Sequence, residues 1–161
     1  MAVDMFIKIG DIKGEAQDDK HKDEIDVLAW SWGMSQSGST HMGSGGGSGK
    51  VNVQDISFTK YVDASSTPLM VACCKGTHIK DAKLTVRKAG DSPLEYIKLT
   101  LKDVIVSSIS TGGSGGEDRL TENVTLNFAE FKHEYTTQAK TGGSGTTSTA
   151  AWNIPENKPA G

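Results

Sequence analysis

Apolar residues recur at every second position through most of this chain, and a period of two puts one face of a β-strand, not a helix, against a core. Val3, Met5, Ile7 and Ile9 share one face of a first strand, with Asp4, Phe6 and Lys8 on the other. In a second strand Leu28, Trp30, Trp32 and Met34 form the apolar face, and Ala29, Ser31 and Gly33 the opposite one. Ile25 and Val27 fall out of phase with that set. One extra residue must be absorbed near Val27, which a β-bulge does. Residues 51–62, 83–87, 97–102, 104–110 and 120–135 read as further strands, the last with Val124, Leu126 and Phe128 inward.

The interruptions are as informative as the strands. Residues 11–23 are rich in Asp and Lys and read as a solvent-facing connection. Residues 38–50 form a loop whose centre holds Gly43, Gly45, Gly46, Gly47 and Gly49 between serines. Such a run has too little apolar surface to offset its ordering entropy, and a loop of that length in a compact domain is functional or disordered. Gly90, Asp91, Ser92 and Pro93 signal a turn, and residues 112–116 form a second glycine loop. A single helix is expected. Ser66 and Thr67 are N-cap candidates, Pro68 suits the first helical position, and Gly76 suits the C-terminal stop two or three turns later.

These elements predict a mainly β, antiparallel barrel or sandwich with a short flanking helix. At 161 residues the chain is sized for one such domain. The pattern assigns residues 1–138 to it and leaves 139–161 as a polar C-terminal tail, anchored by Trp152 alone. Sheet edges left open on such a domain invite pairing with another chain.

Several function classes are excluded. A net charge of −3 provides no basic stripe for nucleic acid. No polybasic run attracts a membrane surface, and no stretch approaches the ~20 apolar residues of a spanning helix. Residues 1–8 lack the features of a Sec signal peptide. The expectation is therefore synthesis in the cytoplasm and, on export, a route that reads no such signal. Cys73 and Cys74 are adjacent, which disfavours a bridge between them and leaves no disulfide framework.

Catalytic motifs fail on context. Residues 44–50 resemble a phosphate-binding loop, but Ser44 replaces its first glycine and Val51 its magnesium-binding hydroxyl. Gly112, Ser114 and Gly116 match a nucleophile elbow, yet a strand follows where the elbow needs a helix. His21, His41, His78 and His133 lack ligand spacing and are expected on solvated loops or strand faces. The reading is a protein that is not an enzyme, with no cofactor and no metal. Trp30 and Trp32 leave one alternative, a monomeric β-sandwich module binding carbohydrate or another ligand. Their apolar strand face favours burial instead.

Longer strings carry a resemblance. Residues 110–128, holding Gly112, Gly113, Ser114, Gly115, Gly116, Glu117, Asp118 and Arg119 followed by Leu120-Thr121-Glu122-Asn123-Val124, resemble a hallmark of the Hcp family of type VI secretion systems. Phe58-Thr59-Lys60-Tyr61-Val62-Asp63, residues 82–90 and the opening residues 2–10 resemble that family as well. The resemblance runs from residue 1 to about 135, with the tail beyond Gln138 departing from it.

The resemblance implies a barrel of two antiparallel sheets with one helix, assembling as a homohexameric ring. It further implies stacked rings inside a contractile sheath, a VgrG-type spike cap, a baseplate, and small effector proteins carried and chaperoned in the lumen. Joined to the strand pattern, it makes Ala29, Ser31 and Gly33 the expected lumen face, with Ser31 touching cargo. Gly38, His41, Gly43, Gly45, Gly46, Gly47, Gly49 and Lys50 become the expected ring-to-ring stacking loop.

Overall fold

The computed structural model describes residues 2–38, 49–89 and 93–161. Its strands are β1 (Val3–Ile9), β2 (Ile25–Ser31), β3 (Met34–Ser35), β4 (Asn52–Val53), β5 (Ile56–Tyr61), β6 (Ile79–Lys88), β7 (Glu95–Thr111), β8 (Thr121–Gln138), β9 (Ser144–Asn153) and β10 (Lys158–Pro159). Among the described residues one helix, α1 (Ser66–Lys75), lies between β5 and β6. Every strand pairing among them is antiparallel. The ladder runs β8–β5–β2–β1–β6–β7 and returns from β7 to β8, closing a six-stranded barrel.

Closure depends on two long strands that serve both walls. β7 and β8 pair from Ile97 and Tyr135 to Thr111 and Glu122. At one end β6 flanks β7 and β9 flanks β8; at the other, β5 flanks β8 through residues 121–126. The passage falls near Asp103, whose φ of 54° is unusual for a non-glycine residue and bends β7 where its ladder with β6 stops at Val104.

The inward face follows the alternation. Ile7, Ile9, Ile56, Leu84, Leu99, Leu101 and Leu126 are wholly buried, each contributing about 1.5–3 kcal/mol over an exposed position. The helix adds Leu69 and Ala72 and packs against β7. It begins earlier than the proline suggested. Ser66 is its first residue because Ser66 Oγ accepts the Asp63 amide at 3.0 Å and Asp63 Oδ1 accepts the Ser65 amide at 2.9 Å. Pro68 therefore sits third. Gly76, at φ 62°, ends the helix in the left-handed conformation that glycine adopts without cost.

Three further expectations are corrected. Residues 11–23 face solvent at most positions, as expected, but Gly14, Ala16 and His21 are buried. The segment folds as a strap over the outer side of β1 and β6. A Cβ at Gly14 would stand 2.5 Å from the Glu24 carbonyl oxygen, so no other residue fits there. His21, expected on a solvated surface, stacks on Phe6 at 4.5 Å with Glu24 and Glu95 at its two ring nitrogens, 2.9 and 2.8 Å away.

The C-terminal segment, expected as a polar tail, instead extends the ladder. β9 pairs with β8 from Asn153 to Ser144, and Trp152 lies opposite Phe131. Its threonines and serines alternate too weakly in polarity to signal a strand. The third correction concerns Leu28 and Met34, expected in the core but 39 % and 48 % exposed. The bulge lies between Val27 and Ala29, as the phase change required, and turns Leu28 out of the ladder.

Candidate functional site

Four strand segments make one continuous outward face: residues 27–31 of β2, then β5, residues 121–127 of β8, and residues 105–111 of β7. Phe58, Val124, Leu126 and Val106 point into the barrel from these strands, so the intervening residues point away from it. Register aligns those residues in rows. Ser31 stands opposite Ser57, Ser57 opposite Thr125, and Thr125 opposite Ser108. In the next row Ala29 faces Thr59, Thr59 faces Asn123, and Asn123 faces Ser110.

Hydrogen bonds run along the rows, from Thr59 Oγ1 to Asn123 Oδ1 at 2.7 Å and between the Ser57 and Thr125 hydroxyls at 3.2 Å. The result is an uncharged, hydroxyl-rich band of short side chains. It offers many weak polar contacts.

Ala29 and Ser31 are exposed within this band. Gly33 lies beyond the end of β2, its carbonyl accepting the Gln54 amide at 2.9 Å. Ser57, Thr59, Asn123, Thr125, Ser108 and Ser110 were not singled out from sequence. Each looked like the ordinary polar position of an alternating strand, and only pairing register joins them to Ser31.

The band has open edges on both sides. The ladder of β2 with β1 stops at Asp26, and that of β7 with β6 stops at Val104. Among the described residues, 28–31 and 105–111 thus have one edge without a partner strand. Leu28-Ala29-Trp30-Ser31 carries none of the charges or prolines that normally blunt such an edge.

The glycine-loop candidates fall elsewhere. β3 and β4 pair as a two-stranded arm, Met34 with Val53 and Ser35 with Asn52, and carry the chain into and out of residues 36–51. Gly38, Gly49 and Lys50 are exposed near its tip; His41, Gly43, Gly45, Gly46 and Gly47 lie outside the described residues. Gly112, Gly113, Ser114, Gly115, Gly116, Glu117, Asp118 and Arg119 form an exposed connection between β7 and β8. The Arg119 guanidinium sits 3.7 Å from the centre of the Tyr61 ring, which ties that connection to β5. Trp30 and Trp32 are half-buried against the core. Trp32 meets Phe131 edge-on at 4.8 Å and donates its Nε1–H to the Gln54 carbonyl at 3.0 Å, so its ring is engaged in packing.

Comparison with known proteins gives a consistent result. Residues 6–135 match the family model described as type VI secretion system effector, Hcp. Protein hcp1 of Pseudomonas aeruginosa is 64 % identical over 162 residues, covering 99 % of this chain and 100 % of that protein. That similarity includes the tail, where the sequence reading placed a departure. Among solved structures, Hcp1 from Salmonella typhimurium superposes with a TM-score of 0.81 at 38 % identity, covering 99 % of this chain and all of that one. A structure described as a type six secretion system protein reaches 0.92 at 29 % identity, with the same coverage. A type VI secretion system effector from Yersinia pestis reaches 0.76 at 34 %, covering 94 % of this chain and all of that one.

Proposed function

The chain belongs to the Hcp family of type VI secretion, as a structural tube subunit and not an enzyme, and from that premise we propose how it builds and uses the tube. The observation that carries the proposal is the hydroxyl band with an open edge on each side. Copies join head to tail, the β7 edge of one against the β2 edge of the next, which is the heterologous contact a closed ring of identical chains requires. Closure as a homohexamer turns the band inward, and Ala29 and Ser31 with their row partners line the lumen.

Small effector proteins ride against that lining. Short hydroxyl side chains hold a folded cargo through many exchangeable hydrogen bonds and let it go without a large apolar surface to separate. Rings stack through the arm that carries residues 38–50. The assembled tube is capped by a VgrG-type spike, grows from a baseplate, and is driven outward by contraction of a surrounding sheath. Synthesis in the cytoplasm is followed by export through this machine without a Sec signal.

Size-exclusion chromatography with mass measurement tests the ring. The chain is 17.1 kDa, and the expected particle is an annulus of several times that mass by electron microscopy. Leu28→Lys places a charge on the open β2 edge and is expected to yield a folded monomer. A strictly monomeric parent chain at high concentration would overturn the proposal, and a Leu28→Lys variant that still forms rings would overturn this choice of edge.

A further inference from the structure

The uncharged band ends in a carboxylate. Asp55 directly precedes β5 and lies on the outer face, where its Oδ1 accepts from Asn127 Nδ2 and its Oδ2 from Ser107 Oγ, both at 2.9 Å. The Ser107 hydroxyl also lies 3.1 Å from the Thr125 carbonyl, so its single proton is committed to acceptors. Each Asp55 oxygen keeps a second acceptor direction, and the cluster around it is rich in acceptors and poor in free donors. The two rows beside it contain Ala29, Ser31, serines, threonines and Asn123, with no charge.

We propose that Asp55 is a specificity-determining contact of the cargo face, favouring protein segments that bring a lysine or arginine beside hydroxyl and amide groups. The inference rests on the reading that this face lines the lumen. Two features support it. Asp55 is held in place by two side-chain donors before any partner arrives, so little rotamer freedom is lost on contact. Ring symmetry also repeats the carboxylate around the channel, and a like-charged set along a confined wall raises the local concentration of cations. A role limited to clipping β5 to β7 and β8 would change stability and leave charge preference untouched.

The test uses assembled rings of the full chain and two fluorescein-labelled peptides, one alternating serine with lysine and the other serine with glutamate, followed by anisotropy. The lysine peptide is expected to bind more tightly, with the preference falling about five-fold in Asp55→Asn and shrinking as salt rises. Asp19→Asn removes the same charge from the exposed strap and is expected to leave the preference unchanged. Ser57→Asp adds a second carboxylate two residues along the same face, beside the Thr125 hydroxyl, and is expected to raise it.

No preference for the lysine peptide, an equal fall in Asp19→Asn, or indifference to both Asp55→Asn and Ser57→Asp would overturn the inference. Should Asp55→Asn fail to assemble, Ser57→Asp decides alone. Ser31→Gln separates the role of Asp55 from the lumen reading, because it is expected to weaken both peptides alike. Weakening there with no effect at Asp55 sinks the role of Asp55 and leaves the lumen reading standing. Binding unaltered by Ser31→Gln sinks the lumen reading itself.

Discussion

Lys60 Nζ lies 2.5 Å from Glu122 Oε1 inside the barrel wall, and neither side chain is accessible to solvent. The same ammonium bonds the Tyr61 carbonyl at 2.9 Å, Asp63 Oδ1 at 3.0 Å and Ser66 Oγ at 3.2 Å. Ser66 Oγ in turn donates to Glu122 Oε1. One cation thereby ties β5, β8 and the first turn of α1 together. The second carboxylate oxygen of Glu122 is buried without a hydrogen-bond partner among the described residues. Desolvation offsets much of the attraction in such a pair.

Removing Lys60 alone strands the buried Glu122 carboxylate, whereas removing Glu122 leaves Lys60 with Asp63 as its counter-ion. Lys60→Met is expected to lower unfolding free energy by about 3–5 kcal/mol and Glu122→Leu by less, whereas the double change to Lys60→Met with Glu122→Leu recovers part of the Lys60→Met loss. Urea unfolding of the four proteins checks this. A double variant as weak as the sum of the singles would show that the pair is not coupled.

Acid sensitivity should trace to the strap. Burial pushes the Glu95 carboxyl up, but the His21 hydrogen bond and the nearby His21, Lys98 and Lys83 charges together hold it below its usual 4.5. A carboxylate depressed in the fold adds stability that is complete above 4.5 and is lost as pH falls through the lower folded value. Asp18, held low by the hydrogen bond from Arg87, adds to the same slope. Unfolding midpoints measured from pH 6 down to pH 3 are expected to fall less steeply in Glu95→Gln than in the parent chain.

The C-terminal segment is expected to behave as an integral strand. Trp152→Ala removes the half-buried ring opposite Phe131 and should cost about 2 kcal/mol, less than a fully buried aromatic. Deleting residues 139–161 frees one edge of β8 and should increase amide exchange across Glu130–Gln138. Unchanged exchange there would argue that β9 contributes nothing to holding β8.

Deleting residues 43–49 separates ring closure from stacking. The expected products are single rings of normal mass and no tubes. Tubes of ordinary length in electron micrographs of that deletion would refute the stacking role of the arm.

Much of this architecture was legible in order along the chain. The strands with Ile7, Ile9, Leu84, Val86, Leu99 and Leu101 were readable because large apolar groups alternate there with charged ones. The bulge at Val27 was readable from a break in phase. β9 was not, because Ser, Thr, Gly and Ala differ too little in hydrophobicity to mark an inward face; its strand exists because β8 offers an unpaired edge. Within the strap the burial of His21 was not legible, because Phe6 and Glu95, which cover it, are remote in sequence.

The candidate site divides the same way. Alternation alone set Ala29 and Ser31 opposite the tryptophans, because consecutive side chains of a strand must leave opposite faces. That Ser31 stands in a row with Ser57, Thr125 and Ser108, and that Asp55 borders the row, depends on which strands pair and in what register. Those choices minimise the free energy of the whole closed sheet. Local sequence thus determines where a side chain points, while only the tertiary ladder decides what stands beside it.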